Sequence, residues 1–206
     1  MIDVLAAVRA QVSEHFAAAG ITAEPVSASV TFLGTERIDV LRFGPDLGAE
    51  AGGGTGPDLY HYVTLGCSRH PMFDPTELVS DPIHGPRAEV VLSLRGPTPG
   101  GLARSLAVLA AAPAVEGLVL EADALIDLET PLFDAAPFSA FLLGPSDIGE
   151  VSLPEPLSAV TVLSATPITA TEAAWVRLKG ADAMREAWQA DGVDVLDPTR
   201  RAASPS

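Results

Sequence analysis

Residues 26–33 alternate with a period of two, and no other run restricts the possible folds as much. Val26, Ala28, Val30 and Phe32 face one way, and Ser27, Ser29 and Thr31 face the other. That pattern is a half-buried β-strand. Gly34-Thr35-Glu36 makes a short turn, and Arg37 to Phe43 reads as the returning strand of a hairpin. A hairpin commits the chain to a sheet, and the apolar face of a sheet has to be covered.

Further strands are expected over Leu59 to Leu65, Ala88 to Arg95 and Leu157 to Ser164, the last carrying Val160, Thr161 and Val162. Leu118 to Leu125 and Phe138 to Leu143 are weaker strand patterns, and Val193 to Leu196 suits a short closing strand. The helical period appears elsewhere. Val4, Val8, Val12 and Phe16 form one stripe over Asp3 to Ala19, with Asp3 placed to cap it and Gly20 to end it. Leu102, Leu106 and Leu109 mark a helix over Gly101 to Ala112, with Pro113 as its stop. Thr169-Ala170-Thr171-Glu172 has the form of a capping box and opens a helix to Lys179 that Gly180 ends. A last helix covers Asp182 to Ala190, with Met184 and Trp188 one turn apart. Two long connections remain: Gly44 to Asp58, with Gly52-Gly53-Gly54 at its tip, and Ser68 to Arg87, rich in Pro, Asp and His. The expected fold is α+β: a mixed, mostly antiparallel sheet packed by N-terminal, middle and C-terminal helices. It is expected as one domain over residues 1–200, with 201–206 as a flexible tail.

The net charge is −15, from 27 acidic against 12 basic residues, and Lys179 is the single lysine. Such a surface repels a phosphate backbone, so nucleic acid is excluded as a partner, and a basic protein is favoured. No apolar run reaches the roughly 20 residues of a membrane span; the longest candidate, Leu102 to Leu120, contains Arg104, Pro113 and Glu116. The N-terminus lacks a basic segment ahead of an apolar stretch, and Cys67 is the only cysteine. Both features fit a cytoplasmic chain without disulfides.

Four groups carry residue types suited to chemistry. Gly66-Cys67-Ser68-Arg69-His70 follows a strand, as a nucleophile elbow does, but His70 stands where the second Gly belongs and Pro71 opposes the helix. Cys67 has His61, His70 and Arg69 near it in sequence, yet a lone cysteine is more often a small buried residue. His61, Cys67, His70 and His84, with Asp74 and Asp81, offer metal-ligand types at spacings that match no common zinc pattern. Glu121, Asp123, Asp127 and Glu129 are interleaved with apolar residues, as on an amphipathic surface. These readings assign no catalytic, metal or cofactor-binding residue. The alternative is a metal-binding or hydrolytic protein built on the His61/Cys67/His70 loop.

Two stretches resemble a known family. His61-Tyr62-Val63-Thr64-Leu65-Gly66-Cys67-Ser68 looks like the signature strand and turn of the Suppressor of fused domain. Arg87-Ala88-Glu89-Val90-Val91-Leu92 is similar to the strand that follows it there. Val162 to Glu172, Trp175 and Lys179-Gly180-Ala181 resemble its strand, capping box and helix, and Val195 to Arg200 fits its closing segment. The resemblance runs from about Val26 to Arg200 and implies a bacterial-type, single-domain member. It implies a non-enzymatic protein-binding domain without cofactors, and a role as an immunity protein that neutralises a polymorphic toxin.

Overall fold

The computed structural model describes residues 3–47, 57–73, 76, 79, 81 and 83–204. The elements run α1 Val4–Ala18, β1 Val26–Val30, β2 Ile38–Phe43, β3 Leu59–Leu65 and β4 Arg87–Arg95. They continue with α2 Leu102–Glu116, β5 Leu125–Asp127, β6 Phe138–Val151, β7 Val160–Thr169, α3 Ala170–Lys179 and α4 Ala181–Ala190. The seven strands form one mixed sheet in the order β1-β2-β3-β4-β7-β6-β5. Every neighbouring pair is antiparallel except β4 and β7, which are parallel. The α+β expectation therefore holds.

Helices cover both faces. The stripe Val4, Val8, Val12 and Phe16 of α1 packs on Leu41, Phe43, Val63, Val91, Val160 and Val162. On the opposite face Leu102, Leu106 and Leu109 of α2 meet Val40, Tyr62, Val90 and Leu92. α3 and α4 pack Ala173, Val176, Met184 and Trp188 against Ala140, Leu142 and Ile168. Strands so enclosed are apolar on both faces, as Ala88-Glu89-Val90-Val91-Leu92 nearly is.

Asp3 caps α1 by accepting the Ala6 N–H at 3.0 Å, and Gly20 takes the left-handed φ of +97° just past its end. Other boundaries differ from the sequence expectation. β1 is not half-buried: it lies at the edge of the sheet, and among its residues only Val30 is partly covered, against the α2 alanines. Pro113 does not stop α2. The helix gains a further turn and ends at Gly117, φ +69°, whose N–H donates to the Pro113 carbonyl. One missing donor is tolerated because Ala110, Ala111 and Ala112 are already held by burial. Leu118 to Leu125 is largely not strand; Leu120 is buried as coil and its N–H meets the Met72 sulfur at 3.2 Å. Val193 to Leu196 is coil and turn, not strand, tied to the sheet by the Arg95 N–H donating to the Leu196 carbonyl. Within the expected tail 201–206, Ala203 is buried and its N–H donates to Glu172 at 3.0 Å, while 205–206 lie outside the described residues. The Gly52-Gly53-Gly54 tip lies outside the described residues.

Candidate interaction surface

The signature stretch and the strand after it meet at one buried carboxylate. Glu89 is fully buried in β4. Its Oε1 accepts the backbone N–H of Gly66 at 2.7 Å, the N–H of Ser68 at 2.9 Å and the Ser68 hydroxyl at 2.7 Å. Its Oε2 accepts the Thr64 hydroxyl at 2.7 Å, while Thr64 Oγ1 accepts the Val90 N–H. Burial raises the Glu89 pKa above the ordinary carboxylate value, and these donors offset only part of the rise. Gly66, at φ +151°, lets the chain leave β3 into the turn Cys67–Arg69; a Cβ there would lie 3.0 Å from the Arg37 carbonyl. Arg87 Nη1 clamps the same turn by donating to the carbonyls of Ser68 and Arg69.

The second pair of matched stretches meets at another glutamate. The capping box is complete: Thr169 Oγ1 accepts the Glu172 N–H, and Glu172 Oε2 accepts the Thr169 N–H. Glu172 is at the same time the hub of the C-terminal region. It accepts Trp188 Nε1 at 2.9 Å, Arg200 Nη1 at 2.8 Å, Arg200 Nη2 at 3.0 Å and the Ala203 N–H at 3.0 Å. Arg200 also donates to the Pro167 carbonyl and lies over the rings of Phe138 and Trp188. Burial pushes the Glu172 carboxyl up, but Arg200 and the other donors reverse this and hold it below its ordinary value.

The residues singled out for chemistry do not converge. Ser68 is fully buried and its hydroxyl donates to Glu89, so it presents no nucleophile to solvent. The Cys67 thiol is raised well above its ordinary pKa by burial and by the Glu89 charge, the opposite of an activated cysteine. The histidines separate onto different carboxylates. His61 lies 3.1 Å from Asp46 and 2.7 Å from Ser93. His70 lies 2.9 Å from Glu36, and His84 lies 2.9 Å from Asp81. Among the described residues no three His, Cys, Asp or Glu side chains are grouped to hold a metal; Asp74 lies outside them. His61 and His70 thus sit on different carboxylates, while Cys67 and His70 line one groove. Of the acidic set, Asp123 pairs with Arg185 and Asp127 with Arg177. His61 and Ser93, cross-strand neighbours, wall a cleft of about 230 Å³ between the end of α1 and the sheet, with Phe16 stacked on the His61 ring.

What the Glu89 turn does present is a groove of about 630 Å³ between the β1–β2 turn, residues 66–73 and the end of α2. Its walls are Leu33, Ile38, Met72, Phe73, Ala111 and Val115. Leu33 is fully exposed, and Phe73 and Val115 are exposed as well. Glu36 at the rim holds both Arg69 and His70, which come from the turn. An exposed apolar concavity with a polar rim is the form of a protein-docking site.

The sequence showed the cap and the turn but missed Glu89 and Glu172 as hubs. One signal was available: a lone carboxylate inside the apolar run Ala88 to Leu92 must be buried, and a buried carboxylate must be satisfied.

The family described as Suppressor of fused protein (SUFU) matches residues 34–201. No curated protein matches the chain. Among solved structures, a putative SUFU homolog from Neisseria gonorrhoeae FA 1090 is 16% identical, with a TM-score of 0.61 over 96% of this chain and 95% of that one. A chain of the Sufu–Fu complex is 14% identical, with a TM-score of 0.65 over 96% of this chain and 90% of that one. Drosophila Suppressor of Fused is 14% identical, with a TM-score of 0.61 over 92% of this chain but only 49% of that one. At these identities the likeness is one of fold.

Proposed function

Because the chain belongs to the Suppressor of fused protein (SUFU) family, we propose that it is a non-enzymatic module that binds a protein, and that its partner is a basic toxin domain which it neutralises as an immunity protein in the cytoplasm. The observation that carries this reading is the groove held by the Glu89 turn, exposed and apolar on a chain of net charge −15. Apolar side chains in the groove supply affinity, and the acidic field speeds encounter with a cationic partner. The single cysteine suits a reducing compartment, and no helix of the described residues is long and apolar enough to cross a membrane. The solved Sufu–Fu complex supports binding as a use of this fold.

The test begins with the neighbouring gene. A toxin domain encoded there should bind the purified chain one to one, with affinity falling as salt rises. Leu33→Asp should weaken that complex by about tenfold or more while leaving thermal stability within about 0.5 kcal/mol of wild type. Failure to find a stoichiometric protein partner in the native host under any growth condition would sink the reading.

A further inference from the structure

Among the described strands the sheet has two edges, β5 and β1. β5 is only three residues long, and its Asp127 is tied to Arg177 of α3. Short length and an inward-held charge are how an edge is kept from pairing. β1 has none of these protections. From Pro25 to Thr35 there is no charged residue, and Val26–Val30 holds no proline, glycine or bulge. Val26 is 58% exposed, and Ser27, Ala28 and Ser29 are exposed too. One side of its backbone pairs with β2, and among the described residues no strand pairs with the other.

The sequence of this edge reads the same in both directions: Val26-Ser27-Ala28-Ser29-Val30. A two-fold axis through Ala28 makes such a strand complementary to itself when it runs antiparallel. Val26 then faces Val30 of the second copy, Ser27 faces Ser29, and Ala28 faces its own counterpart. Paired Val and paired Ser are favourable cross-strand neighbours. Val26 and Val30 lie on one face by alternation, and Val30 touches the α2 alanines. The pairing therefore places the exposed Val26 beside the α2-covered face of its neighbour. A foreign strand needs no palindrome. We infer that β1 is a homodimerisation edge, and that a second copy of this chain joins there to make one continuous fourteen-stranded sheet.

Two chains of net charge −15 repel, but Val26–Val30 itself carries no charge and its cross-strand carboxylate, Asp39 of β2, already accepts the Ser29 hydroxyl, so the repulsion is mainly long-range and screened over about 8 Å at physiological ionic strength. The dimer must therefore tighten with salt, whereas a complex with a basic partner must loosen. That opposite sign separates this inference from the proposed function. A five-residue pairing falls below the standard interface of about 1,600 Å² and sets a weak, concentration-dependent equilibrium.

Sedimentation of the full chain from about 1 µM to about 1 mM tests this, at about 50 mM and about 500 mM salt. The expected result is a monomer–dimer equilibrium, at least about tenfold tighter at the higher salt. Ala28→Lys sets two ammonium groups face to face on the axis and should weaken the dimer by about 100-fold. Ala28→Cys, in a Cys67→Ser background, should oxidise to a linked dimer, since directly opposed strand residues have disulfide spacing. The small cysteine keeps the test decisive if the lysine variant misfolds. A chain that stays monomeric throughout, a dimer indifferent to Ala28→Lys, or an Ala28→Cys chain that does not cross-link overturns the inference. So does a monomer whose β1 instead captures a strand of another protein.

Discussion

Arg200→Ala is the substitution with the largest effect that the structure allows to be worked out. The Arg200 and Glu172 side chains are 4% and 0% exposed. Removing the guanidinium takes two of the five hydrogen bonds that Glu172 accepts and leaves its charge buried with three neutral donors. It also strips the Pro167 carbonyl of its donor and the Phe138 and Trp188 rings of their cation. Breaking a buried pair in this way costs about 3–5 kcal/mol, against a total stability of about 5–15 kcal/mol. For a domain of this size each kcal/mol lowers Tm by about 2–4 °C, so the expected drop is about 6–20 °C. The pH dependence has a definite sign. The Glu172 pKa is depressed in the fold, so its contribution is present above the unfolded glutamate pKa of about 4.3 and is lost as pH falls through the lower folded value. Scanning calorimetry of wild type and variant should show the widest gap near neutral pH, narrowing below about pH 4. The double variant Glu172→Leu/Arg200→Met removes both charges and should recover part of the loss. A Tm drop under about 3 °C, or a gap unchanged between about pH 7 and pH 3, would refute the assignment of Glu172 and Arg200 as the C-terminal hub.

Three more outcomes follow from the Glu89 turn. Burial raises the Glu89 pKa above its unfolded value, so its contribution is fully present below about pH 4.3 and declines as pH rises through the folded value. Glu89→Gln should flatten that decline in denaturant titrations run across pH, and an unaltered slope counts against a buried titrating carboxylate. Gly66→Ala should destabilise by about 1–3 kcal/mol, because the new Cβ meets the Arg37 carbonyl and Ile38 at a φ that favours glycine; chemical denaturation reads this directly, and wild-type stability would contradict it. Cys67, only partly buried, should react with a thiol reagent more slowly at neutral pH than in denaturant, because burial and the Glu89 charge raise its thiol pKa. Rapid labelling of the folded chain would refute that placement.

The chain's local rules were legible in its sequence wherever one element's own chemistry decides the outcome. The α1 stripe, the Gly20 and Gly180 ends, the Thr169–Glu172 capping box and the strand Leu59–Leu65 all appear as read. Each depends on neighbours within about one helical turn or on simple alternation, so the residues carry the instruction themselves. The strand order, the parallel β4–β7 pair and the edge position of β1 are set by contacts distant in sequence. They decide that the alternation of Val26 to Val30 is spent on an exposed edge and not on a half-buried strand. Pro113 shows the same override, since packing of Ala110 to Ala112 carries α2 past a residue that locally ends helices. Of the candidate site, the sequence held the residue types and the family likeness, while only the tertiary structure divided them. It drew Thr64, Gly66 and Ser68 onto Glu89, gathered Trp188, Arg200 and Ala203 onto Glu172, and sent His61, His70 and His84 each to its own carboxylate. A buried charge must find its donors wherever the fold brings them, and no spacing along the chain records where that is.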